Sequence, residues 1–164
     1  MDGYQPEQRQ VALRLLTEAG FVAGQLRVPL KAQLLEYVNH AGTFLTLSEV
    51  SLEGRIEPIR FFAVRRAAIL LIVPVGVEGA APEVGHGPGT QPHAVSCLLD
   101  HAFVRGAVEI LRGTRVSDFF HHSQGFVSFR QARVHARTPR SEADENHPLV
   151  LVNTTRMIGV TELG

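Results

Sequence analysis

The chain has 164 residues, and its sixteen basic side chains match its sixteen acidic ones, so it lacks the broad positive field that polynucleotide binders display. A single cysteine, Cys97, builds neither an internal disulfide framework nor a cysteine zinc site, and fits a reducing, cytoplasmic setting. The start MDGYQPEQRQ has no signal-peptide pattern, and the most apolar run, AAILLIVPVGV at 67–77, is far shorter than the roughly 20 residues that span a bilayer.

From Val11 the pattern alternates, with Val11, Leu13 and Leu15 on one face and Ala12, Arg14 and Leu16 on the other. A break at Ala19-Gly20 turns it into a second alternating run, which predicts a hairpin. In that run Val22, Gly24, Leu26 and Val28 share a face, and a glycine inside an apolar face predicts a bend or a close backbone approach. Pro29 ends the strand. Leu34, Tyr37, Val38 and Ala41 then fall at helical spacing, with Gly42 expected as a left-handed cap. A third strand runs from Phe44 to Leu52, and Gly54 and Pro58 mark a turn. The stretch IRFFAVRRAAILLIVPV reads as strands four and five, joined at Arg65, Arg66 and Ala67. Five glycines and three prolines without periodicity at 76–92 predict a flexible linker.

After the linker the chain repeats itself. A shift of 82 aligns residues 12–53 with 94–135 without a gap, pairing Gly24 with Gly106, His40 with His122 and Phe44 with Phe126. The apolar positions also correspond, since Leu34, Tyr37 and Val38 answer to Val116, Phe119 and Phe120, and Leu45 and Leu47 to Val127 and Phe129. The polar stretch TPRSEADENHP at 138–148 reads as an inserted loop. LVLVNTTRMIGVTEL repeats the two-strand ending, with Val152 at the place of Val64. The organisation expected is a first β repeat at 11–75, a linker at 76–92 and a second β repeat at 93–164. At 70 to 80 residues each, roughly, such units have small cores and are expected to pack on each other or on partners.

No motif specifies a chemistry. No two histidines have the one-turn spacing of a helical zinc site. His40 and His122 end their helices, where the dipole favours a partly cationic ring. A metal reading would need His121 or His122 to meet His93 or His101 in space. Cys97 aligns with Leu15 on a core face and reads as an inert small hydrophobe. Asp100-His101 and His122-Ser123 lack any strained turn presenting a serine, and the glycines of GHGPG neither follow a strand nor open a helix. The reading is therefore non-enzymatic, with no catalytic residue, cofactor or metal, and a metal-dependent hydrolase as the minority alternative.

The two copies differ most on the third strand. Glu49, Ser51 and Glu53 in the first answer to Gln131, Arg133 and His135 in the second, continued by Arg137. Ordinary solvated faces would explain this; the sharper expectation is that these residues form an interaction surface on which acidic and basic faces pair, within or between chains. Arg65, Arg66, Arg130, Arg133, Arg137 and Arg140 are the candidate contacts of an alternative, nucleic-acid-binding reading.

The segment FFAVRRAAILLIVPV resembles the last two strands of Sm-like proteins, in which a tight turn joins an apolar strand to a final strand leading to Val-Pro, here Val73-Pro74. The second copy has Thr161-Glu162 there, and Sm-like chains start with their helix, whereas here it falls between strands two and three; the family's ring assembly and RNA binding are not carried over. The repeat is also similar to small bacterial β-rich domains with a helix of the pattern L-x-x-Y-x-N, here Leu34, Tyr37 and Asn39, followed by Phe44 to Leu47, and that resemblance implies no function. The use of arginine for every basic residue but Lys31 is in keeping with a GC-rich bacterial origin.

Together these readings predict a mainly β chain with short helices, folded as two tandem β-β-α-β-β-β small barrels, SH3-like or Sm-like, forming a pseudo-symmetric pair. Such units leave strand edges open. The function expected is a non-enzymatic interaction or assembly module of a bacterial cytoplasmic complex, joining protein partners or copies of itself through strand edges and the charged third-strand faces, with nucleic acid as the less favoured partner.

Overall fold

The alternating runs at the start of the chain become a long hairpin in the computed structural model, which describes residues 6–80 and 89–164. Strand β1 (Gln8–Thr17) pairs with β2 (Gly20–Pro29), followed by helix α1 (Leu34–His40), β3 (Phe44–Leu52), β4 (Ile59–Arg65), a 3-10 turn at Arg66–Ala68 and β5 (Ile69–Pro74). A single helical turn, α2 (Val77–Ala80), precedes β6 (Thr90–Leu99), β7 (Ala102–Leu111), α3 (Val116–His122), β8 (Phe126–Arg137), β9 (Glu142–Asn153), a 3-10 turn at Thr154–Arg156 and β10 (Met157–Glu162). All ten strands are antiparallel members of one sheet in the order β10-β6-β7-β8-β9-β5-β1-β2-β3-β4. The order β5-β1-β2-β3-β4 recurs as β10-β6-β7-β8-β9, and the two series join where β5 pairs with β9. The sheet is not closed: β4 and β10 are its ends.

Bends occur where glycine allows the backbone to come close. The β2–β3 register shifts between Ala23 and Gln25, and the β7–β8 register between Arg105 and Ala107. A methyl group on Gly24 would lie 3.0 Å from Val50 Cγ2, and one on Gly106 would lie 2.9 Å from the Arg130 carbonyl oxygen. Opposite each glycine sits a residue with positive φ, Glu49 at 50° and Gln131 at 47°. Each bulge changes which alternate residues point inward. Before it Leu45 and Leu47 are buried; after it Val50 is buried while Ser51 is exposed and Glu53 half-buried. In β8 the inward set becomes Ala132, Val134 and Ala136, leaving Arg133, His135 and Arg137 outside.

Two cores result, and they share strands. Val11, Leu13, Leu15, Leu26, Leu45 and Leu47 fill the first, which also receives Leu149 and Leu151 from β9. Val95, Cys97, Val104, Ile110, Phe129 and Val134 fill the second, which also receives Leu70, Leu71 and Val73 from β5. Each joining strand thus sends side chains to both sides, which explains why all six residues of β5 are buried. Cys97 is wholly buried, and desolvation pushes its thiol up to about 12, with a backbone hydrogen bond from Val104 opposing it.

Two expectations are corrected. Gly42 is not a left-handed cap, for α1 ends in extended Ala41 at φ −64°. Its last carbonyls, those of Val38, Asn39 and Ala41, instead accept from Arg66 Nη1 at 3.3, 2.9 and 2.5 Å. The span 138–148 is not a loop: Glu142 to Pro148 belong to β9, where Asp144 pairs with Arg133 and Glu142 lies beside His135 and Arg137 of β8. Of the span 76–92, Thr90 to Pro92 belong to β6 and 77–80 form α2, while 81–88, with His86, lie outside the described residues.

Leu71 is wholly buried where the two cores meet. Leu71→Ala is expected to lower stability by about 2–5 kcal/mol, measured by urea denaturation, with both halves melting together. Separate transitions would contradict the shared core.

Candidate interaction surfaces

The charged faces singled out in the sequence end up with partners of different kinds. Arg133 makes a two-pronged ion pair with Asp144, Nε to Oδ1 at 3.0 Å and Nη2 to Oδ2 at 2.9 Å. His135 lies 3.1 Å from Glu142, and Arg137 lies 3.7 Å from the same carboxylate. The hydrogen bond and charge of Arg133 lower the Asp144 carboxyl below its ordinary range. The basic strand face is therefore balanced by its own hairpin partner. Glu49 sits in the bulge of β3 with Ser51 beyond it, both exposed, and Gln131 occupies the matching bulge of β8.

Glu53 behaves differently. One of its carboxylate oxygens accepts from the Thr138 hydroxyl at 2.6 Å and the Ser141 hydroxyl at 2.7 Å, and the other from the Phe21 amide at 2.9 Å. It thus ties the end of β3 to the short β8–β9 loop. Desolvation raises its pKa, but the bonds from Thr138, Phe21 and Ser141 and the charge of Arg140 outweigh this and lower it. Arg14 and Glu145 make a second tie across the joint at 2.9 Å, and there too desolvation is outweighed, chiefly by Arg14, so that the Glu145 carboxyl is lowered. Asn39 makes a third: its amide donates to the Phe126 carbonyl at 3.0 Å and accepts from the Phe126 N–H at 2.7 Å. Asn153 Nδ2 donates to the Ile69 carbonyl at 2.9 Å.

Of the arginines of the nucleic-acid reading, Arg133 and Arg137 face the carboxylates of β9, and the others have separate contacts. Arg65 stacks 4.9 Å over the Phe44 ring, Arg66 caps α1, Arg140 lies against Gly54, and Arg130 lies in β8 opposite Leu149. Among the described residues no three His, Cys, Asp or Glu side chains come together as a metal site. His93 Nδ1 lies 2.8 Å from Glu162, His40 Nδ1 lies 2.8 Å from the Glu36 carbonyl, and His121 and His122 stack edge to face on each other. No helix among the described residues is long and apolar enough to cross a membrane.

The sheet ends are the surface that residue types alone did not mark. Strand β4 pairs only with β3, and β10 only with β6, so each leaves one backbone edge without a strand partner among the described residues. Phe44 and Phe61 stand exposed at one end, and Ile158 and Val160 at the other. A comparison of each with its counterpart in the other copy was the available signal. Comparison with protein-family models, curated proteins and solved structures finds no match.

Glu53 and Glu145 titrate lower in the fold than in an unfolded chain, so their contribution is complete above the ordinary carboxylate range and is lost as pH falls through the lowered values. Stability is expected to fall progressively as the pH is taken below about 5. Glu53→Gln and Glu145→Gln should each be less stable near neutrality and show a shallower acid slope in urea titrations. An unchanged slope in both would remove the two carboxylates from the joint.

Proposed function

We propose that the chain is a non-enzymatic assembly module that joins protein partners through the open ends of its sheet, and that it is built as two strongly bent five-stranded units in tandem, of the small-barrel type. The observation that carries this reading is the pair of open strand edges with large apolar side chains beside them, Phe44 and Phe61 at one end and Ile158 and Val160 at the other. Unpaired edges with apolar flanks invite strand addition, and soluble proteins ordinarily cover or charge them. The recurrence of one pairing order in both halves supports the tandem description. The partners of Arg66, Arg133 and Arg137 weigh against a polynucleotide-binding stripe, as does the absence of net charge.

Recovered from its native host under mild conditions, the chain is expected in a particle larger than a monomer, with chemical cross-links and amide protection concentrated on β4 and β10. Polynucleotide titrations at low salt should stay flat. A monomeric particle with freely exchanging edges would sink the reading, and tight binding with a steep salt dependence would replace it with the nucleic-acid one.

A further inference from the structure

The joint inside the chain is itself a template for the missing partner. Strand β5 of the first half meets β9 of the second, with Leu71 opposite Val152 and Ile72 opposite Leu151. The equivalents of these strands are β10 and β4, because Val64 opposes Leu45 as Val152 opposes Val127, and Ile72 opposes Leu15 as Val160 opposes Cys97. The two ends of the sheet are therefore the two complementary sides of a contact the chain already makes once. Building on the assembly reading above, we infer that the occupant of both ends is a second copy of this chain, bound head to tail, with β10 of one copy pairing antiparallel to β4 of the next, Gly159 opposite Val64 and Val160 opposite Ala63.

Burial supports this position by position. Phe126 is 3% exposed at the internal joint, and its counterpart Phe44 is 48% exposed at the open end. Leu149 is 5% exposed against 64% for Phe61, and Leu70 is 0% exposed against 62% for Ile158. Apolar character is retained at all three sites although an isolated chain gains nothing there. A groove gives independent support. At the joint, the groove lined by Phe119, Phe126 and Val127 is narrowed to about 320 Å³, with Leu35 of α1 forming part of its wall. Its counterpart in the first half, lined by Tyr37, Phe44 and Leu45, is open at about 600 Å³. In the head-to-tail contact α3 of the next copy covers it. Charge agrees as well, since β4 carries Arg60 and Arg65 and no acid, while β10 carries Glu162 and no base. A contact between unlike surfaces propagates until it closes on itself, giving a ring, or a filament if the rotation does not close.

Cysteine cross-linking tests the register. Cys97 lies opposite Val160 in the sheet, so it is replaced by alanine, and Ala63→Cys and Val160→Cys are placed on separate chains. Oxidation is expected to link the two variants to each other when mixed, with little product from either alone. In parallel, Phe61→Asp and Ile158→Asp, both at positions exposed in the single chain, should fold normally and raise the concentration of half-assembly by about tenfold or more in sedimentation velocity. Like-with-like cross-links would overturn the head-to-tail arrangement while leaving edge-mediated assembly intact. A monomer at every concentration, with no cross-link in the mixture, would overturn the second copy as the partner; protection of β4 and β10 in the host particle decides the broader reading separately.

Discussion

Everything in this molecule depends on a very short ladder. Only two residue pairs, Leu71 with Val152 and Ile72 with Leu151, connect β5 to β9, and those two pairs make one sheet of ten strands. Their importance comes from side-chain alternation rather than from the hydrogen bonds. Ile72 and Leu151 point into one core, Leu71 and Val152 into the other, so each half lends apolar surface to its neighbour. At roughly 1.5–3 kcal/mol for each fully buried aliphatic side chain, such lending is comparable to the whole net stability of a small unit. Asn39, Arg14 and Glu53 then fix the relative orientation with bonds at the periphery, where polar groups can be satisfied without entering either core.

Much of this was legible because it is local. Alternation in Val11 to Leu16 and Val22 to Val28 located the first hairpin, and Gly24 and Gly106 marked the bends. The apolar run at 67–77 reads as a buried strand, though not as one whose two faces serve different cores. Short helices closing each unit followed from the spacing of Leu34, Val38 and their counterparts. Whether the units are closed barrels was not decided by pattern, since a period of two is the same in an open sheet as in a closed one.

What the pattern concealed is non-local. The acidic run at 142–147 looks like a loop when taken alone, and becomes a strand only because β8 offers Arg133, His135 and Arg137 at matching intervals. Gly42 looked like a helix cap, but the guanidinium of Arg66, more than twenty residues away, supplies what a left-handed turn would have supplied. The bulges at Glu49 and Gln131 reverse the inward face halfway along a strand, which let charged residues share a parity with buried leucines. Glu53 sat among residues that read as a solvated face, and its role emerged only when Thr138 and Ser141 were brought to it from far along the chain.

The apolar continuity of β5 has a bearing on how the chain is made. On a ribosome the strand Ile69–Pro74 emerges long before Leu149 to Val152 exist to cover its outer edge and face. During that interval the nascent first half displays the five aliphatic residues Ile69 to Val73, a composition prone to unwanted pairing with other chains. Arg65 and Arg66 before the strand and Pro74 at its end are the residues that restrain such pairing, as charge and proline do in gatekeeper positions. The vulnerability is temporary and is removed when β9 is made and pairs with the strand, so the second half is also what makes the first half safe.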